Sequence, residues 1–213
     1  MKIAMGVPVM YNFEGYTKLQ RSLQGTQMTN YVQNNWDTNL GVAKSWNMFM
    51  DQAVKDDIDL LFIVNDDVTF EEGSFWSAVN AWEDKPEDAV LMTAHTSIAE
   101  DRFYPGMADF CCFALNPKEA IEKIGYFDSD NFFPAYYEDN DYLYRVKLSE
   151  YEFYLYGGLK VHHEGSKTQF WNGEEQRVVS HDAFRANQQR YIQKWGGLPG
   201  SETFVLPFNG VIQ

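Results

Sequence analysis

The 213-residue sequence predicts an α/β fold: a mostly parallel central sheet with helices on both faces, in a single domain. Three observations lead there. Leu60-Leu-Phe-Ile-Val64 is an unbroken apolar run of strand length, the pattern of a strand buried on both faces. Val42, Trp46, Phe49 and Ala53 recur just before it at three- and four-residue spacing, the period of a helix with one apolar face. Strand-like and helix-like segments alternate along the N-terminal half, and such alternation builds parallel strands joined by crossover helices.

The elements follow in order. Residues 2–9 read as a strand that leaves through the turn-like Pro8-Val9-Met10-Tyr11-Asn12. Residues 16–23 read as a helix with Leu19 and Leu23 on one face and Gly25 after it, and residues 28–33 as a short strand. Asn39 is a candidate cap for the helix that runs to about residue 54. After the strand at 60–64 come a helix over 75–82 and a strand over 89–94. In the second half, 110–115 is a short apolar strand. Asn116-Pro117-Lys118-Glu119 then opens a helix with a cap, a proline at the first helical position and a glutamate at the capping-box position; Gly125 ends it. Residues 135–141 open another helix with Tyr142, Leu143 and Val146 inward. Strand patterns follow at 151–156 and 159–161, then a polar loop over 167–180. Ser180 caps a last helix carrying Phe184, Tyr191 and Trp195 on a face, Gly196-Gly197 stops it, and the tail wraps over the surface.

Bulk properties narrow the function. Hydrophobic residues make up 45% and charged residues 23%, an ordinary globular balance. The formal net charge of −14 sets up a field that repels nucleic acid and anionic membrane. It leaves room for a nucleotide bound through a metal. Adjacent Cys111 and Cys112 are too close for an ordinary disulfide, so reduced core thiols and a cytoplasmic location are expected. No apolar run reaches membrane-spanning length, and residues 1–12 turn polar too soon for a signal peptide.

Three clusters carry candidate chemistry. The buried strand ends in Asn65-Asp66-Asp67, at the strand end where α/β folds bind ligands. Two adjacent acids there call for a positive partner, and a hard divalent cation carrying a diphosphate supplies one. Tyr137-Glu138-Asp139-Asn140-Asp141 places three acids at a helix start. Acids in a first turn also serve as caps and favour the helix dipole, but the flanking Phe132, Phe133, Tyr136 and Tyr137 are suited to line a pocket mouth and raise a carboxylate pKa. His162-His163 follows Val161. A strand alternates its faces, so at most one of the pair serves a given site. Together the clusters describe one cleft, with a metal held by Asp67 and a histidine and a base at Asp139.

This order resembles the family-2 glycosyltransferases of GT-A fold, in particular their rhamnosyltransferase-like members. Pro8-Val9-Met10-Tyr11-Asn12 resembles the family's first-strand exit, and Asn39-Leu-Gly41 its helix entry. Asn65-Asp66-Asp67 stands where the family's Asp-x-Asp motif belongs, with Asn in the first acidic position. Gly125-Tyr-Phe-Asp128, Phe132-Phe133 and Glu138-Asp-Asn-Asp141 through Arg145 form the most specific stretch, and Val161-His-His-Glu-Gly-Ser166 resembles the closing strand–His–Gly–Ser element. The resemblance implies a metal-dependent inverting transfer of a sugar from a nucleotide-diphosphate donor to an acceptor hydroxyl of a glycan or other molecule. It implies nucleotide or donor contacts from Pro8, Val9, Tyr11, Asn39, Gly41, Asn65 and Asp66. It implies Mn²⁺ or Mg²⁺ on Asp67 and His163, with His162 as the alternate. Asp139 would be the base with Glu138 beside it, and Tyr137 and Asp141 would lie on the acceptor side.

The resemblance spans residues 2–168 and implies a catalytic domain there, residues 1–94 forming a nucleotide-sugar half and 95–168 an acceptor half, with 169–213 packed on the same domain. One departure is visible: only a short stretch separates Asn12 from Asn39, and no second-strand acid appears to read the base. Residues 190–207 read as a lid or acceptor-side element. A non-catalytic glycan- or nucleotide-binding module on the same fold is the alternative, and a metal-dependent phosphohydrolase or nucleotidyltransferase a further one.

Overall fold

The computed structural model describes residues 1–98, 102–103, 109–165 and 179–211. Ser166 and most of the expected loop (167–178) lie outside the described residues. The strands are β1 (Ile3–Val9), β2 (Thr29–Asn34), β3 (Leu60–Val64), β4 (Val68–Phe70), β5 (Ala89–Ile98), β6 (Arg102–Phe103), β7 (Asp109–Leu115) and β8 (Glu152–His163). The helices are α1 (Phe13–Ser22), α2 (Val42–Lys55), α3 (Ser74–Glu83), α4 (Pro117–Lys123), α5 (Glu138–Leu148) and α6 (His181–Trp195).

The strands form one sheet in the order β2-β1-β3-β7-β5-β8-β4, with β6 hydrogen-bonded to β5. β2, β1 and β3 are parallel; β7 lies antiparallel between β3 and β5, and β5 is parallel to β8. Five strands therefore share one direction, and the fold is the expected α/β type with a mostly parallel sheet.

Strand alternation builds the two cores. Every residue of β3 is buried. Leu60, Phe62 and Val64 join Met5, Val7 and Val9 of β1 against α1 and α3, while Leu61 and Ile63 face Trp46 and Phe49 of α2, Ala120 of α4 and Tyr142 of α5. That is why the apolar run is continuous rather than alternating: both faces are covered. A third cluster, Phe132, Tyr137, Tyr144, Tyr191 and Trp195, docks α6 against α5.

Several details depart from the sequence reading. α1 starts at Phe13, because the Asn12 side chain accepts the Gly15 amide and caps it. Asn39 does not cap α2. Gly41 stands there at φ 78°, Asn39 Oδ1 accepts the Gly41 amide at 2.9 Å in a local turn, and the Val42 amide donates to the Pro134 carbonyl at 2.8 Å. The expected strands at 151–156 and 159–161 are one strand, β8, whose register against β5 shifts past Gly157-Gly158. β4 follows Asp67 at once and pairs antiparallel with the end of β8, Val68 opposite His163. It is only three residues long, too short to show a period. Asn116 and Pro117 open α4 as expected, Asn116 accepting the Glu119 amide.

Candidate active site

The carboxyl ends of β1, β2 and β3 and the N-termini of α2 and α5 enclose a cavity of about 290 Å³. Pro8, Asn39, Gly41, Asn65, Asp66, Asp67, Glu138, Asp139 and His163 all line it, although they are spread over 155 residues of chain. Val9, Tyr11, Tyr137, Asp141 and His162 do not line it.

The two acids after β3 do different things. Asp66 is buried and its Oδ2 accepts the Met10 amide at 2.9 Å, while its carbonyl accepts from Asn12 Nδ2 at 3.2 Å. It therefore ties the end of β3 to the exit of β1 and fixes the cavity floor. Asp67 meets His163: Oδ1 lies 3.1 Å from Nε2. The β4–β8 ladder sets this pairing, placing Val68 across from His163 and Thr69 across from His162. His162 is exposed. The Glu164 amide donates to the Asp67 carbonyl at 2.9 Å, and Lys18 holds the Glu164 carboxylate at 2.8 Å. Backbone and side chain thus both fix the histidine-bearing end of β8. Among the described residues no cluster of three or more His, Cys, Asp or Glu forms a ready-made metal cage.

The start of α5 also lines the cavity, through Glu138 and Asp139. Glu138 is buried, and its Oε2 has no hydrogen-bond partner among the described residues. Burial, aided by the charge of neighbouring Asp139, pushes its pKa well above the ordinary carboxylate value. Asp139 is half-buried, with Oδ1 accepting the Asn140 amide at 2.8 Å. The native state therefore keeps a proton on Glu138 that the unfolded chain releases at its ordinary pKa. Stability from this group is full below about pH 4.5 and is lost as pH rises from there through the raised native pKa. Glu138→Gln removes that titration, so its melting temperature relative to wild type should rise between pH 5 and pH 8. A difference constant across that range in calorimetric scans would contradict the assignment.

The remaining acid of the cluster lies elsewhere. Asp141 is fully buried; it accepts Arg145 Nε at 3.0 Å and Trp195 Nε1 at 2.8 Å, and pairs with Lys194. Arg145 also donates to the carbonyls of Ile124 and Tyr126. The expected acceptor-side place of Asp141 is corrected: this acid anchors α5 to α6 from behind the cavity. Tyr137 likewise turns into the aromatic cluster, its hydroxyl accepting from Gln188 at 2.8 Å, and Tyr136 lines the cavity instead. Tyr11, at φ 60°, turns the chain from β1 into α1, and its hydroxyl approaches the Trp36 carbonyl. Val9 packs in the core.

The Gly-Tyr-Phe-Asp stretch is structural in the same way. Gly125 takes φ 92°, Phe127 stacks on Tyr142 at 4.2 Å, and the Asn47 side chain clasps both backbone groups of Phe127. Asp128 accepts Lys194 Nζ at 2.6 Å and Asn131 Nδ2 at 2.7 Å. Burial alone would raise its pKa, but Lys194 and Asn131 outweigh it and hold the carboxyl below its ordinary value.

Sequence reasoning missed part of the wall. Asn35 is buried at the end of β2 and donates to Ser45 Oγ, so it pins the strand to α2; Met10, Trp46, Phe110, Cys111 and Val179 also line the cavity. Cys111 and Cys112 are both buried thiols. The stretch read as a lid is not one where it contains Lys194 and Trp195, since both are buried under α5. No helix among the described residues is long and apolar enough to cross a membrane.

No family model matches the sequence, and neither does any curated protein. Solved structures match in fold. The 1–349 fragment of S. aureus TarS aligns with a TM-score of 0.55 and 12% identity, over 90% of this chain and 72% of that one; its complex with UDP-GlcNAc aligns at 0.56 and 14%, over 89% and 65%. A Drosophila galactosyltransferase 7 mutant, complexed with manganese, UDP-Gal and xylobiose, aligns at 0.52 and 13%, over 85% and 77%. A glycosyltransferase involved in glycosylation of the major capsid of PBCV-1 aligns at 0.50 and 10%, over 79% and 96%. At these identities the likeness is one of fold, and the chain has the GT-A type of α/β fold.

Proposed function

We propose that this protein is a metal-dependent glycosyltransferase that moves a sugar from a nucleotide-diphosphate donor to an acceptor hydroxyl with inversion. One observation carries the reading: a single cavity at the carboxyl ends of the parallel strands gathers the Asp67–His163 pair and Asp139 in its lining. The fold neighbours that hold UDP-GlcNAc or UDP-Gal support it.

Asp67 and His163 supply one carboxylate and one imidazole, a donor set that suits Mn²⁺ or Mg²⁺ when diphosphate oxygens and water complete the shell. The metal would offset charge on the departing diphosphate. The chain's own residues do the rest. Gly41 and Val42 bring the N-terminus of α2 to the cavity, where its dipole favours an anionic diphosphate. Asp139 takes the proton of the acceptor hydroxyl. Glu138 stands beside it in the cavity lining, its pKa raised by burial and by the charge of Asp139. Asp66, tied to β1, holds the floor on which the nucleotide rests, with Pro8, Asn39, Gly41 and Asn65 around it.

The test is Asp67→Ala, titrated with UDP-GlcNAc and UDP-Gal in Mn²⁺. The variant should fold as wild type does and lose at least tenfold in nucleotide-sugar affinity. Wild-type affinity in the variant would remove Asp67 from the metal site.

A further inference from the structure

Two aromatic residues in a row take left-handed backbone just ahead of the acids that line the cavity: Tyr136 at φ 79° and Tyr137 at φ 77°. Residues with a bulky side chain rarely adopt that region, and they persist there only where their surroundings hold them. Tyr137 is also the N-cap of α5, and its side chain makes no capping bond. A helix start without a Ser, Thr, Asp or Asn cap lacks the usual local anchor. The direction in which Glu138 and Asp139 leave the turn is therefore set by contacts from other elements.

α6 supplies those contacts. Phe184, Asn187, Gln188 and Tyr191 recur at helical spacing, which places them on one face. Asn187 is buried, and its Nδ2 donates to the Ala135 carbonyl at 2.9 Å and to the Tyr136 carbonyl at 3.2 Å. One amide group thus ties two successive carbonyls of the turn. Gln188 Nε2 donates to the Tyr137 hydroxyl at 2.8 Å. The Phe184 ring lies 5.3 Å from that of Tyr136 and 5.5 Å from that of Tyr137, and Tyr191 lies 5.5 Å from Tyr137. α2 holds the preceding residue, its Val42 amide donating to the Pro134 carbonyl at 2.8 Å. Without the Asn187 amide, two carbonyls lose their partner and the left-handed turn is free to relax. Asp139, two residues past the turn, would move with it.

We propose that Asn187 is a positioning residue: through the strained turn at 135–137 it sets the place of Asp139 in the cavity. The inference rests on the transferase reading and adds a group that is not in the cavity lining.

The test is Asn187→Leu, which keeps the volume and removes the N–H donors, with Asn187→Ala as a second variant should leucine disturb the fold. UDP affinity in Mn²⁺ reports an intact cavity and should stay at the wild-type level. Amide hydrogen exchange at residues 137–140 should quicken roughly tenfold, while β3 keeps its protection. Turnover of UDP-GlcNAc or UDP-Gal in Mn²⁺, with water as acceptor, should fall roughly 100-fold in kcat, the usual cost of a small misplacement of a reacting group, with KM unchanged. Combined with Asp139→Asn, the substitution should cost nothing further, because the group it positions is already gone. A wild-type kcat in the variant overturns the proposal. So does an equal loss in both backgrounds, which is the mark of general destabilisation, or unchanged exchange at 137–140. Wild type that turns over neither sugar nucleotide counts against the transferase reading, and amide exchange then decides by itself whether Asn187 holds the start of α5.

Discussion

Asp139→Asn should lower sugar transfer by roughly 100- to 10,000-fold, the usual contribution of a positioned general base, while nucleotide-sugar binding stays at the wild-type level. Asp139 lines the same cavity as Asp67 and His163, and its side chain is half-buried at the start of α5. Asparagine keeps the shape and can still accept the Asn140 amide, so the helix start survives. It cannot take a proton. The loss should therefore fall on kcat, because the interaction removed is made as the proton moves. A fall confined to the Michaelis constant would mean that Asp139 binds substrate and that the base lies elsewhere. A non-catalytic module would have no turnover to lose.

Lys194→Met should cost about 3–5 kcal/mol of folding stability, the usual result of breaking a buried ion pair by removing one partner. The ammonium is buried between the Asp128 and Asp141 carboxylates, and Trp195 beside it donates to Asp141 as well. Methionine fills a similar volume but leaves Asp141 to Arg145 and Trp195, and Asp128 to Asn131. For a chain of this size the melting temperature should fall by roughly 6–20 °C. Asp128 adds a pH signature. Its native pKa is depressed, so its contribution is present above the ordinary carboxylate value and is lost as pH falls through the native one. Lys194→Met should therefore also flatten the acid limb of the stability curve. A variant as stable as wild type at pH 7 would show that the network contributes nothing.

The strands and helices were legible wherever a period was long enough to read. β3, α2 and the Asn116-Pro117 start of α4 follow from apolar runs and caps. β4 was not legible, because three residues carry no period, yet it is the strand that carries the chain from Asp67 alongside His163. Of the acid cluster at 138–141, sequence alone gave no way to separate the residues that face the cavity from the one that faces inward. Helical rotation decides it: Glu138 and Asp139 turn to the cavity, and Asp141 turns to Arg145 and Lys194. Lys194 was hidden for a related reason. A lysine in the last turn of a helix ordinarily serves the dipole in solvent, and its two acid partners lie more than fifty residues away. The motif stretch from Gly125 to Arg145 is thus a scaffold with two cavity-facing acids in it, and the scaffold is held by α6.

The most direct measurement is thermal denaturation with a panel of nucleoside diphosphates and their sugar conjugates, each in Mn²⁺, in Mg²⁺ and in EDTA. A ligand that binds the native state alone at about 100 times its dissociation constant adds about 2.7 kcal/mol, which is roughly 5–10 °C at this chain length. One nucleotide class should give such a shift with metal and lose it in EDTA. A folded protein whose melting point no nucleotide or nucleotide sugar moves would contradict the assignment of this cavity to a sugar-nucleotide donor.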